Sequence, residues 1–160
     1  MNARPHAASL AALAVAGLAL LLDQISKALA LQHLPLGVSS PFWPGLLSLQ
    51  RVGNSGAAFS LFSGNSAPLS LLSVGVCVGL VIWLLRHPPP SRWQIVAFGF
   101  LLGGAAGNGL DRLRLGEVVD FLELVPFRFP IFNLADVAIN LAVLCFAIDI
   151  LQTRQRRAGS

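Results

Sequence analysis

Cysteine is nearly absent from this sequence: there are two, Cys77 and Cys145, each inside an apolar run and neither in a CxxC or metal-ligand spacing. That pattern gives no disulfide framework and no zinc site, and the two thiols read as inert packing groups. Histidine is almost as scarce. His6, His33 and His87 lie far apart with no HExxH pattern, so a histidine metal centre and a Ser/His/Asp triad are both poorly supported. Charge is scarce as well: 11% of the 160 residues are charged and 55% are hydrophobic, with mean hydropathy +0.72. Soluble domains do not carry so little charge, and a chain this short has no room for a large soluble enzyme beside its apolar runs. Any chemistry therefore sits in or against a bilayer.

What the sequence does have is four apolar stretches, at about 8–31, 68–85, 94–110 and 131–151, each near the ~20 residues that a helix needs to cross hydrocarbon. The expected fold class is an all-α membrane protein, a single domain over residues 1–160 built as a four-transmembrane-helix bundle with outer loops at 32–67 and 111–130. The net charge of +4 is a topology signal and not a nucleic-acid surface. Arg4, Arg86, Arg92, Arg154, Arg156 and Arg157 fall on one side, against Arg51, Arg112, Arg114 and Arg128 over a longer stretch on the other. The positive-inside rule then puts both termini, including the basic tail 152–160, in the cytoplasm. A cleavable leader ending at "ALA", residues 28–30, competes with this reading, but Asp23 and Lys27 would stand between the apolar run and the cut.

In the first outer loop "LLSLQRV", "GNSG" and "AAFSLF" read as strand, turn and strand, after a stretch broken by Pro35, Pro41 and Pro44. A small β element lying on the outer membrane surface is expected there. Gly99, Gly103 and Gly107, at four-residue spacing, clear one face of the third helix for close approach, with another helix of the same chain as the expected partner. The chain is read as a monomer.

In that topology Asp23, Asp111, Asp120 and Asp136 all reach one outer layer, although they come from distant parts of the sequence. Asn133, Asp136 and Asn140, spaced three and then four apart, share one helix face. An ionisable group within a span is rare and costs a few kcal/mol unless it is paired or functional, which makes Asp136 hard to dismiss. Glu117, Glu123, Arg114 and Arg128 read as solvated interfacial charges and Lys27 as a snorkelling one. Asp149 reads as interfacial or paired with the basic tail, and Asp111 as a structural partner of its neighbour Arg112.

Two carboxylates are the natural reagent here. If Asp120 and Asp136 converge on one water, repulsion keeps both from ionising, so one holds a proton while the other stays charged, which supplies acid and base without a metal. Asn54, Asn108, Asn133 and Arg112 can supply hydrogen-bond donors to a substrate carbonyl and to the acids. A Ser/Lys pair using Lys27 is disfavoured because Asp23, four residues earlier, keeps that lysine charged. Two other classes stay open: a small transporter or proton relay, for which the acids are concentrated too far to one side, and a structural subunit whose polar residues only hold helices together.

Five blocks, "LLLDQISK", "NSGAAFS", "GGAAGNGLDR", "VVDF" and "FNLADVAI", follow in order from the first span to the last, and together they resemble the lipoprotein (type II) signal peptidases. The resemblance implies that Asp120 and Asp136 are the catalytic pair of an intramembrane aspartic protease. It implies that Asp23, Asn54, Asn108, Asp111, Arg112 and Asn133 shape the site and support substrate binding. It also implies no cofactor, diacylglyceryl-modified prolipoproteins cut just before the lipidated cysteine, inhibition by globomycin-type cyclic peptides, and residence in a bacterial inner membrane with the site near the periplasmic face.

Overall fold

The computed structural model describes residues 3–56, 67–127 and 129–158. Along the chain come α1 (Ala3–His33), β1 (Ser39–Trp43), β2 (Leu47–Asn54), α2 (Ala67–Arg86), α3 (Arg92–Leu115), β3 (Val118–Leu124) and α4 (Leu134–Ala158). The expected strand "AAFSLF" falls within residues 57–66 and lies outside the described residues, as does Arg128.

Among the described residues three helices are long and apolar enough to cross a membrane, over His6–His33, Ala67–Arg86 and Leu134–Arg156. Their large apolar side chains face outward: Leu18, Leu22, Leu71, Leu72, Trp83, Val143 and Leu151 are all exposed. That is how a bundle with lipid as its solvent distributes its residues, since lipid does not drive Leu inward. The fourth helix, α3, has 24 residues and so extends about 36 Å at ~1.5 Å per residue, but glycines, Asn108 and Asp111 dilute its apolar content. It is the central element, packed on α1, α2 and α4.

The close packing has a simple cause. A Cβ at Gly99 would come within 2.6 Å of the Val15 side chain, and one at Gly103 within 2.7 Å of the Ala16 carbonyl oxygen, so this glycine stripe lets α3 lie against the backbone of α1. Gly104 does the same toward α4, where a Cβ would come within 2.6 Å of the Ala135 carbonyl oxygen. The expected intramolecular partner of the stripe is therefore α1. At its other end α3 starts with Ser91 as N-cap, whose hydroxyl accepts from the Gln94 N–H at 3.1 Å. Asp149 of α4 accepts from that same hydroxyl and from Gln94 Nε2, the latter at 2.8 Å. Asp149 is thus held against the start of α3, and the Arg156 charge of the tail also acts on it. The tail itself continues α4 as helix to Ala158.

The β element is larger than the first loop alone provides. Strands β1, β2 and β3 form one antiparallel sheet in that order, so the connection after α3 contributes its third strand. Gly45, at φ 75°, makes the β1–β2 turn, and Gly116, at φ 77°, closes α3 with its N–H donating to the Arg112 carbonyl. The β2–β3 register slips by one residue between Leu49 and Val52, a bulge after which Val52 faces Asp120 and Asn54 faces Val118. Val52 and Asn54 are two apart and so lie on the same face, which puts Asn54 diagonally across from Asp120.

Candidate active site

Asp120 stands in β3 and is 2% exposed. The register just described delivers Asn54, whose Nδ2 donates to Asp120 Oδ2 at 2.9 Å. Asn133 donates from its own Nδ2 to Asp120 Oδ1 at 2.6 Å. Burial pushes the Asp120 carboxyl up to about 6, working against the pull of the Asn54 hydrogen bond, and the neighbouring Asp136 charge adds to the rise.

Asp136 lies in the first turn of α4. The helix starts at Leu134 and not at the expected 131, because Asn133 caps it. The Asn133 side-chain oxygen accepts from the Asp136 N–H at 3.0 Å, and Asp136 Oδ2 accepts from the Asn133 N–H at 3.3 Å. This is a capping box with Asn at the N-cap and Asp at N3, and it holds a carboxylate where the helix dipole favours negative charge. Asp23 of α1 completes the end of the helix by accepting from the Ala135 N–H at 2.9 Å.

Asn108 of α3 joins these pieces. Its Nδ2 donates to Asp136 Oδ1 at 2.8 Å, while its Oδ1 accepts from Asn133 Nδ2 at 3.0 Å and from Lys27 Nζ at 2.9 Å. Lys27 does not snorkel. It is 2% exposed and lies 2.9 Å from Asp23 Oδ2 and 2.8 Å from Asp111 Oδ2, so its three N–H donors meet three acceptors. Asp111 therefore pairs with Lys27, not with Arg112, and it also accepts from the Val119 N–H at 3.2 Å, which ties β3 to the end of α3. Gln24 Nε2 donates to Asp111 Oδ1 at 3.0 Å.

Arg112 turns to the other side, donating to the carbonyls of Asn108 at 3.4 Å and Gly56 at 3.3 Å. It lines a cavity of about 1070 Å³ together with Asn54, Asn108, Asp120 and Asp136. Apart from Asn140 the remaining wall is mostly apolar and includes Phe129, Ile131, Val137, Ile139, Leu141 and Leu144. Two carboxylates thus meet one greasy cleft, with amides holding them from behind.

All eight residues picked from the sequence, Asp23, Asn54, Asn108, Asp111, Arg112, Asp120, Asn133 and Asp136, join one hydrogen-bonded network. Sequence reasoning missed Lys27 and Gln24 as members. The i, i+4 pairing of Asp23 and Lys27 was read from the sequence and is present, but nothing in the sequence says that Asp111 comes to the same ammonium.

The family described as signal peptidase (SPase) II matches residues 15–152. A lipoprotein signal peptidase of Parasynechococcus marenigrum is 56% identical over 142 residues, covering 89% of each chain. That of a Synechococcus species is 59% identical over 143 residues, covering 89% of this chain and 94% of its own. The fold is similar to a solved bacterial membrane enzyme at a TM-score of 0.82, with 28% identity over 91% of this chain and 90% of that one. With that match running from the first helix into the last, the chain belongs to the signal peptidase II family, a family of membrane proteases.

Proposed function

We propose that the chain is an aspartic endopeptidase that removes the signal peptide from diacylglyceryl-modified bacterial prolipoproteins, cutting just before the lipidated cysteine, with Asp120 and Asp136 activating the water. One observation carries this reading: Asn133 donates to Asp120 and at the same time caps the helix whose first turn holds Asp136, so the two acids are oriented by one side chain at the mouth of one cavity.

Asp136, whose carboxylate accepts from the Asn108 amide and the Asn133 N–H, acts as the base that takes a proton from water. Asp120, held near 6 by burial, keeps its proton more readily and gives it to the carbonyl oxygen as the water oxygen adds to the carbonyl carbon. Collapse of the tetrahedral intermediate breaks the C–N bond, the proton taken up by Asp136 goes to the leaving amine, and a hydroxyl of the intermediate returns a proton to Asp120. Asn54, Asn108 and Asn133 hold the carboxylates, Asp23 and Asp111 hold Lys27 and the helix ends, and Arg112 offers cationic donors to the substrate backbone.

A lipid-bearing cysteine would lie in the bilayer at the depth of the first turn of α4, and the apolar cavity wall suits its acyl chains. On this reading α3 crosses with the other three helices, both termini are cytoplasmic, and the sheet lies over the bound peptide at the periplasmic face of the inner membrane. The chain works as a monomer, needs no metal, and is blocked by globomycin-type cyclic peptides. No observation favours transport.

The test is cleavage of a diacylglyceryl-modified prolipoprotein by the purified protein in detergent with chelator present, for wild type and for Asp136→Asn. Cleavage by the wild type alone supports the reading. Folded wild type that leaves the substrate intact sinks it.

A further inference from the structure

Asn140 sits one turn after Asp136 on α4 and makes no hydrogen bond to the side chains that surround the two acids. Its Nδ2 donates to the Asp136 carbonyl at 2.8 Å, while its side-chain oxygen has no partner among the described residues. It is exposed and lines the large cavity. Among the cavity-lining residues of α4 beyond Asp136, namely Val137, Ile139, Asn140, Leu141 and Leu144, it is the one polar side chain. A carboxamide oxygen open to an apolar wall at membrane depth is costly to leave without a hydrogen bond.

A peptide bond attacked by two carboxylates cannot lie inside a regular helix, because the reacting carbonyl must be reached from the cavity. The residues next to it are therefore extended, and at membrane depth their freed N–H groups need acceptors, since hydrocarbon offers none. Asn140 lies about 6 Å farther along the helix than Asp136 at ~1.5 Å per residue. That is about two extended residues at ~3.3 Å each. On the proposed orientation this is the direction of the signal peptide, not of the mature protein.

We propose that Asn140 is a substrate-binding residue whose side-chain oxygen accepts a main-chain N–H of the signal peptide about two residues before the scissile bond. The inference rests on the endopeptidase reading above. It assigns Asn140 a share in recognising the extended backbone, which any signal-peptide sequence presents, and no share in side-chain preference.

The experiment uses purified full-length protein in lipid nanodiscs and synthetic diacylglyceryl-modified prolipoprotein peptides. One peptide is all-amide. Three others each carry an ester in place of one main-chain N–H among the three residues before the lipidated cysteine. Asn140→Leu keeps the side-chain size and removes the acceptor. It is expected to lower kcat/KM on the all-amide peptide by about threefold to tenfold, the range of one neutral hydrogen bond. With one of the esters the wild type should lose a similar factor and Asn140→Leu should lose no more, because the bond is already gone. Thermal midpoints of the two proteins report folding separately. Equal losses for Asn140→Leu on all four peptides, or no loss at all, would overturn the inference while leaving the protease reading standing. Wild type that leaves the all-amide peptide intact would overturn both.

Discussion

Asn133 reaches Asp120 at 2.6 Å from the position that also starts α4. The alignment of one carboxylate and the start of the helix that carries the other are therefore a single structural event.

This coupling can be separated by substitution. Serine caps helices about as well as asparagine but is too short to donate to Asp120 and Asn108. Asn133→Ser should therefore lose at least about a hundredfold in kcat while its stability falls by no more than about 3 kcal/mol, from the lost hydrogen bonds and the small cavity. Paired turnover and thermal-melt measurements check this, and a loss of stability without a loss of turnover would contradict it.

Asp120→Asn and Asp136→Asn should each lower turnover by at least about a thousandfold, as expected for removal of the acid or the base. Both should still bind substrate. Single-turnover assays and a pull-down with lipidated substrate separate the two effects, and full cleavage by either variant would remove that residue from the pair.

The Asp120 carboxyl, raised by burial to about 6, makes a prediction with a definite sign. Between the ordinary carboxylate value of 3.8 and about 6, the folded protein binds this proton more tightly than the unfolded chain does. Its contribution to stability is therefore full below about pH 4 and is lost as pH rises through about 6. Infrared titration should show a protonated-carboxyl band disappearing near pH 6 in the wild type and missing in Asp120→Asn. A band unchanged by the substitution would refute the assignment.

Lys27 stands between Asp23 and Asp111 with all three groups buried. Lys27→Met would leave two carboxylates without their cation, a change that costs about 3–5 kcal/mol for a buried pair. A large drop in melting temperature is expected, with protonation at low pH restoring part of it.

The glycine stripe predicts a contrast within one helix pair. Gly103→Ala would drive a methyl to 2.7 Å from the Ala16 backbone and should destabilise by about 1–3 kcal/mol. Gly17→Ala, with nothing within 4 Å of the added Cβ, should be neutral or slightly stabilising. Melting of the two variants side by side decides it.

The helices were legible in the sequence because apolar runs of about 20 residues have few other readings. The glycine spacing pointed correctly to an intramolecular partner. Strand β3 was not seen: "VVDFLEL" is short, and its pairing depends on β2, some seventy residues earlier, which no local pattern announces. The same limit explains Lys27. A single lysine at the end of an apolar run reads as a snorkelling group, and only the arrival of Asp111 from α3 turns it into a buried one. For Asp149 the basic tail was the legible partner, and Arg156 does act on it, while Ser91 and Gln94, at the start of another helix, were not seen.

The bond from the Ala135 N–H to Asp23 spans 112 positions of chain, and it has a consequence for biosynthesis. A chain made only as far as α3 has neither Asn133 nor Asp136, and its Asp23 has no helix end to hold. On the proposed reading the two acids would meet only once α4 arrives. A nascent protein without α4 would then be inert toward its neighbours.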